Sequence, residues 1–279
     1  SRREGFQEDA VLQETVITWA SGRREVDVGV NVLLTRSQGT IDLGAAEVVA
    51  VPTERIVGAD EHSMFSLPMP GLDPFEGWTA TLKTYGLEVS TGPVIAFRAA
   101  AYIRESRGGD TVPLLWLQHV GQQRIEWPIK KKREHIVAAA ANAWMLVKNE
   151  PMVIMRRFSP KEDERRVTCA AYACGLDRLP GAVIGLENHL NFIYRPGGSM
   201  TPFEARGLSA FLASSVVDQH FRALAGSTQV NATELRKLPL PPLELIEAIG
   251  QRVSAQPSLW EIDQVVGQVL GAHLEARAA

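Results

Sequence analysis

Near the start of the chain, hydrophobic and polar positions alternate strictly. Val26, Val28, Val30 and Val32 are interleaved with Asp27, Gly29 and Asn31. Side chains on a strand project to opposite faces, so this pattern predicts a strand with one buried face. Further apolar runs bounded by turn formers predict strands over 46–51, 94–97, 112–120, 144–147, 152–158 and 183–194. The runs at 144–147 and 152–158 flank Lys148-Asn149-Glu150-Pro151, which reads as a hairpin. Arg156 and Arg157 then fall near a strand end, with one of them facing away from the core. The last third changes period. Thr201-Pro202-Phe203-Glu204 has capping-box spacing with proline at the first helical position, predicting a helix to about Ala213. A second helix is expected over 215–224. Ser258 and Glu261 repeat the capping spacing ahead of an apolar stripe: Ile262, Val265, Val266, Val269, Leu270, His273 and Leu274. The expected fold class is α+β, a mixed, largely antiparallel β-sheet region with a helical C-terminal third. Pro68, Pro70, Gly71 and Pro74 mark 66–77 as the likeliest boundary, separating a β-rich segment over 1–70 from a domain over 71–279.

Composition describes a folded protein. The 279 residues are 45% hydrophobic and 22% charged, enough to bury a sizeable core. The formal net charge is -3, which by itself argues against a nucleic-acid partner. Its distribution argues otherwise. Residues 92–166 carry 14 Lys/Arg against 8 Asp/Glu, leaving 15 against 24 elsewhere. Phosphate binding depends on local positive charge, because each neutralised phosphate releases counterions where it is gripped. The densest cluster, Lys130, Lys131, Lys132 and Arg133, follows Trp127-Pro128, where proline favours a loop. Such a run is either a phosphate contact or a solvated loop.

Cys169 and Cys174 have no second pair, whereas a zinc site needs about four ligands, so both are expected to be reduced thiols. No apolar stretch approaches the ~20 residues of a membrane span and no signal-peptide pattern opens the chain. A cytoplasmic location without membrane contact is expected.

Residues 226–243 concentrate hydrogen-bonding side chains. Gly226 permits close backbone approach, and Ser227, Thr228, Gln229 and Asn231 offer donors and acceptors of the kind a base edge or phosphate requires. The same residue types also lock turns by bonding their own backbone. A short strand over 235–240 and a stop at Pro241-Pro242 are expected to follow.

This run resembles the C-terminal signature of target-recognition domains in adenine-specific DNA methyltransferases of restriction-modification systems. Leu12-Gln13-Glu14-Thr15-Val16-Ile17 is similar to the segment that follows the catalytic domain in that family. The strings at 85–92 (YGLEVSTG), 156–159 (RRFS), 185–191 (GLENHLN) and 221–222 (FR) follow in the family's order. The resemblance covers nearly the whole chain and is greatest to the type paired with PstI-like or BsuBI-like restriction enzymes, with a TaqI-like specificity domain. It implies double-stranded DNA as partner, an upstream catalytic domain as second partner, and S-adenosylmethionine as cofactor of the parent enzyme.

The catalytic motif of that family is absent. An amino-methyltransferase holds its extruded base with an Asn/Asp-Pro-Pro-Tyr/Phe motif, whose polar group accepts from the target amine while the ring stacks on the base. Here the only Pro-Pro lies between Leu240 and Leu243. No Gly-rich nucleotide cradle between a strand and a helix is recognised either. No catalytic, cofactor-binding or metal-binding residue is therefore assigned, and the chain alone is expected neither to bind S-adenosylmethionine nor to transfer a methyl group.

The expected DNA-binding residues are Lys130, Lys131, Lys132, Arg133, Arg156, Arg157, Asn188, His189, Asn191, Ser227, Thr228, Gln229 and Asn231. Read as an unbroken strand, Glu187, His189 and Asn191 share one face, with Asn188 and Leu190 on the other. These groups either touch DNA or satisfy backbone at a strand end. His189 lacks partners at ligand spacing, which disfavours it as a metal ligand or general base. Lys161-Glu162-Asp163-Glu164 reads as a solvated turn, and the Pro-Asp and Glu-x-Lys patterns of a nuclease are missing. Thr228 and Gln229 suit backbone or phosphate positioning better than base readout. The reading is the sequence-recognition part of an adenine-N6 DNA methyltransferase in restriction-modification or phage defence. A protein-interaction domain of a phage-defence assembly, or a fragment of a fused restriction-methylation enzyme, stays open.

Overall fold

The computed structural model describes residues 31–35, 48–52, 75, 77–130, 133–158, 163–172, 179–223, 230 and 232–278. Val26, Val28, Val30, Lys131, Lys132, Cys174, Ser227, Thr228, Gln229 and Asn231 lie outside them. The chain divides into two units, one of Ser1–Leu72 with Gln219–Ser227 and one of Asp73–Asp218 with Thr228–Ala279. In the first, β1 (Asn31–Thr35) and β2 (Val48–Pro52) pair antiparallel, Leu33 opposite Ala50.

Two sheets organise the second unit. The four-stranded sheet is wholly antiparallel, in the order β11 (Cys169–Tyr172), β10 (Met152–Arg156), β13 (Leu190–Tyr194), β3 (Glu88–Thr91). The five-stranded sheet runs β4 (Ile103–Arg104), β8 (His135–Val137), β5 (Thr111–Leu115), β12 (Val183–Leu186), β9 (Leu146–Lys148). Its β5–β12 pair is parallel and its other pairs are antiparallel. A small ribbon, β6 (Val120–Gly121) with β7 (Arg124–Ile125), carries the chain toward the basic cluster. Leu115, Ile154, Tyr172, Ile184, Leu186 and Leu190 belong to one core cluster drawn from both sheets. The α+β expectation holds.

Several expected strands are divided. The run 183–194 breaks at Glu187–His189, where the Leu190 amide donates to the Glu187 carbonyl at 2.9 Å, and its halves enter different sheets. The alternation expected across it therefore fails, because the turn resets the side-chain phase. Nor do 144–147 and 152–158 form a hairpin. Residues 140–145 are a 3-10 helix, β9 pairs with β12, and β10 joins the other sheet. Asn149 makes this switch. Its amide donates to the carbonyls of Leu179 and Gly181 at 2.6 and 2.7 Å, and its carbonyl accepts from the Tyr172 hydroxyl at 2.8 Å. The run 112–120 is cut by a 3-10 turn at Leu117–His119, and at 94–97 only Val94 forms a bridge, to Glu187. The chain then turns, with the amides of Arg98 and Ala99 both donating to the Ile95 carbonyl.

The helices are α1 (Pro202–Ala213), α2 (Ser215–Ala223), α3 (Ala232–Lys237), α4 (Leu243–Arg252) and α5 (Leu259–Ala278). The capping box of α1 forms as spaced: Glu204 N–H donates to Thr201 Oγ1 at 3.0 Å, and Thr201 N–H to Glu204 Oε2 at 2.6 Å. α1 meets α4 at two glycines, where a Cβ on Gly207 would lie 1.8 Å from the Ile246 carbonyl oxygen and one on Gly250 1.9 Å from that of Phe203. Only bare backbones fit this crossing. Ile262, Val266, Val269 and Leu270 of the α5 stripe are buried, and α5 packs on α4 and α1. The strand expected over 235–240 is instead α3, built from the strong helix formers Ala232, Glu234, Leu235, Arg236 and Lys237, followed by a single bridge from Leu240 to Ala80.

Candidate nucleic-acid interface

Four of the sequence strings meet in space. A Cβ on Gly92 would lie 2.3 Å from the Glu187 carbonyl oxygen, so glycine is what lets 85–92 lie against 185–191. Gly92 N–H donates to the Leu190 carbonyl and Asn188 N–H to that of Val94. On the other side of the Glu187–His189 turn, Arg157 N–H donates to the His189 carbonyl at 2.9 Å. The C-terminal string is tied to the same place. Arg236 Nη2 donates to the Val89 carbonyl at 2.9 Å, and Leu240 N–H to that of Ala80 at 2.8 Å. The Tyr85 hydroxyl donates to the Pro241 carbonyl at 2.9 Å. Its acidity is weakened first by burial and then by the neighbouring charge of Glu244, so this donor keeps its proton.

At the turn, His189 projects outward over a buried acid. Its side chain is 51% exposed, Nδ1 lies 2.5 Å from Glu187 Oε1, and Glu187 is 3% exposed. The second carboxylate oxygen accepts His189 N–H at 3.1 Å, so Glu187 fixes both backbone and ring. Phe158 meets the His189 ring at 5.4 Å between centroids, and the Arg157 guanidinium lies 5.7 Å from the Phe158 centroid. The expected residues Arg157 and His189 are thus brought together on one surface. The aromatic between them and the carboxylate beneath were not assigned from sequence.

Arg156 and Asn191 serve the interior. Arg156 Nε donates to the Val120 carbonyl at 2.6 Å, binding β10 to the ribbon. Asn191 is fully buried, its amide donating to the Val230 carbonyl and its oxygen accepting from Thr91. Its side chain is bonded within the fold, to Val230 and Thr91. Asn188 is half-buried.

The described residues of the basic cluster, Lys130 and Arg133, stand on a fixed base. Lys130 and Arg133 are exposed, Trp127-Pro128 is cis, and Lys130 adopts φ +56°. Beneath them, the buried Glu134 carboxylate accepts Ile129 N–H at 2.8 Å and contacts His119 Nε2 at 3.0 Å. The His119 Nδ1 accepts Trp116 N–H at 2.7 Å. Trp116 Nε1 donates to the Arg133 carbonyl at 2.7 Å and Trp127 Nε1 to that of Glu134 at 3.1 Å. Both ends of the loop are therefore bonded to one buried frame. Its sequence signal is two tryptophans, Trp116 and Trp127, ahead of a basic run that is followed by Glu134.

Among the described residues no group of His, Cys, Asp and Glu could hold a metal ion. Cys169 is buried beside Ser209 and Gln123, and burial pushes its thiol up to about 12. One strand-to-helix connection does carry adjacent glycines, Gly197 and Gly198 between β13 and α1. The helix N-terminus there is occupied by the Glu204 carboxylate, which also holds Arg195 at 2.7 Å. No described helix is long and apolar enough to cross a membrane.

No family model matches the chain. It is 31% identical to the type II methyltransferase M.PstI of Providencia stuartii over 283 residues, covering 97% of this chain and 54% of that protein. It is also 31% identical to the type II methyltransferase M.BsuBI of Bacillus subtilis over 279 residues, covering 96% and 52%. The chain spans about half the length of these curated relatives. Over nearly its whole length, this chain is thus homologous to about half of a type II methyltransferase.

Proposed function

We propose that this chain is the DNA-binding, sequence-recognition part of an adenine-N6 DNA methyltransferase of a restriction-modification system serving phage defence. The observation that carries this reading is convergence: strings separated by up to about 150 residues of sequence are bonded to one another, Gly92 and Arg157 at the Glu187–His189 turn, and Val230, Arg236, Leu240 and Pro241 to Asn191, Val89, Ala80 and Tyr85, beside a surface of Arg157, Phe158 and His189. The similarity to two type II methyltransferases supports it. So does the absence from the sequence of the base-holding Asn/Asp-Pro-Pro-Tyr/Phe motif. In this division of labour the basic loop and the Arg157–His189 surface hold phosphates, and polar loops read base edges in the major groove. An upstream catalytic domain would bind S-adenosylmethionine, extrude the adenine and methylate it.

The test is selection from randomised duplexes by the purified chain, followed by fluorescence anisotropy and a methylation assay. Salt-sensitive binding with one preferred sequence, and no methyl transfer by the chain alone, is the expected result. Failure to bind any duplex at low salt would favour a protein-interaction role. Methylation by the chain alone would overturn the division of labour.

A further inference from the structure

The amides of Glu187, Asn188, His189 and Leu190 are all engaged. Glu187 N–H donates to the Leu115 carbonyl at 3.0 Å, Asn188 N–H to that of Val94 at 3.0 Å, His189 N–H to Glu187 Oε2 at 3.1 Å, and Leu190 N–H to the Glu187 carbonyl at 2.9 Å. Arg157 N–H takes the His189 carbonyl. A turn bonded to neighbouring segments on both sides keeps one backbone shape, so the group it offers is set by the orientation of the exposed His189 ring.

That orientation is asymmetric. Glu187 is buried and its carboxylate accepts, so the ring nitrogen that meets it, Nδ1, is the one that carries hydrogen. The neutral imidazole has a single N–H, which leaves Nε2 a bare acceptor. With Nδ1 turned to a carboxylate only 3% exposed and the His189 side chain itself 51% exposed, the ring edge bearing Nε2 is the one turned outward. Phe158 lies against the ring at 5.4 Å between centroids and hinders its rotation. A bare acceptor cannot bond a phosphate oxygen, which also only accepts; it pairs with a donor. The donors that a duplex displays in its major groove are the amino groups of adenine (N6) and cytosine (N4).

We infer that His189 determines specificity by accepting a base amino group, adenine N6 or cytosine N4, at Nε2, and that Glu187 is the positioning residue that fixes the ring tautomer this requires. The inference rests on the proposed reading of the chain as a DNA-recognition part. On the shared surface Arg157, whose guanidinium lies 5.7 Å from the Phe158 centroid, takes the phosphate, and His189 reads the base beside it.

The test has one arm without DNA and one with it. In the whole chain, the imidazole nitrogen shifts of His189 in weakly alkaline buffer are expected to show hydrogen on Nδ1 and none on Nε2. Glu187→Gln reverses this: the new amide oxygen takes His189 N–H while its NH2 donates to Nδ1, which moves the hydrogen to Nε2. Duplexes of the preferred sequence are then made with the amino-free analogue of adenine or of cytosine at one position at a time. Anisotropy is expected to show a several-fold loss of affinity at one position for the parent chain, the effective analogue telling adenine from cytosine. The same analogue should cost His189→Ala nothing further. In Glu187→Gln the discrimination should vanish at that position and persist at the others, whereas a merely structural role of Glu187 would weaken all positions or none. Hydrogen on Nε2 in the parent chain, or amino deletions that cost His189→Ala as much as the parent at every position, overturns the inference and leaves the DNA-recognition reading intact. A parent chain that binds no duplex overturns that reading and the inference with it.

Discussion

The side-chain amide of Asn191 donates to the carbonyl of Val230 at 3.3 Å, joining the middle of the four-stranded sheet to the residue that follows the polar run 227–229. Its oxygen accepts from the Thr91 hydroxyl at 3.0 Å, so one buried amide links three of the converging strings. Asn191→Leu removes both bonds and strands a buried carbonyl. A loss of about 1–3 kcal/mol is expected in urea denaturation. Affinity for all duplexes should fall together. Unchanged stability with altered preference at one base pair would instead make Asn191 a reader.

The Glu134 carboxylate secures the basic loop from below, and removing it should separate charge from positioning. Glu134→Ala leaves Ile129 N–H and His119 Nε2 without their acceptor, at a cost on the order of 1–3 kcal/mol for each buried donor. Glu134→Gln keeps an acceptor and should cost much less. Thermal melts of both variants are the measurement, and equal melting temperatures would show that the carboxylate does not hold the loop.

Neutralising the cluster itself should act through the salt dependence. Changing Lys130, Lys131, Lys132 and Arg133 to Ala is expected to weaken binding to every duplex about equally and lower the log-log slope by nearly one unit per lost contact. The preferred sequence should survive. A parental slope would make the cluster a solvated loop.

Cys169 supplies a prediction in the opposite sense, an inert thiol. Its acidity is shifted from an ordinary value of 9.0 to about 12 by burial, so almost no thiolate exists in the folded protein at pH 8. Alkylation of Cys169, followed by peptide mass spectrometry, should be slow until denaturant is added. Because the folded pKa is the raised one, the contribution of this group to stability is full below about 9 and is lost progressively as pH rises toward about 12. Fast labelling of the native chain at Cys169 would contradict the burial.

Local chemistry was enough to reveal the helical third. Thr201-Pro202-Phe203-Glu204 and Ser258 with Glu261 specify helix starts through bonds between near neighbours, and those bonds form as spaced. The apolar runs also marked where backbone becomes buried in sheet. The ordered strings pointed to type II methyltransferases, because such resemblance is carried by residue identity and order alone.

Tertiary structure decided how these pieces are joined. Whether 144–147 and 152–158 pair with each other depends on Asn149, whose partners Leu179 and Gly181 lie about 30 residues away in sequence. Whether 183–194 is one strand or two depends on the 186–187 backbone meeting Gly92. The same holds for the interface: sequence marked Asn191 and His189 alike, but packing buries the first against Val230 and holds the second outward over Glu187. Hydrophobic periodicity and capping act over a few residues and can be read along the chain, whereas a side chain's exposure is set by what distant segments bring against it.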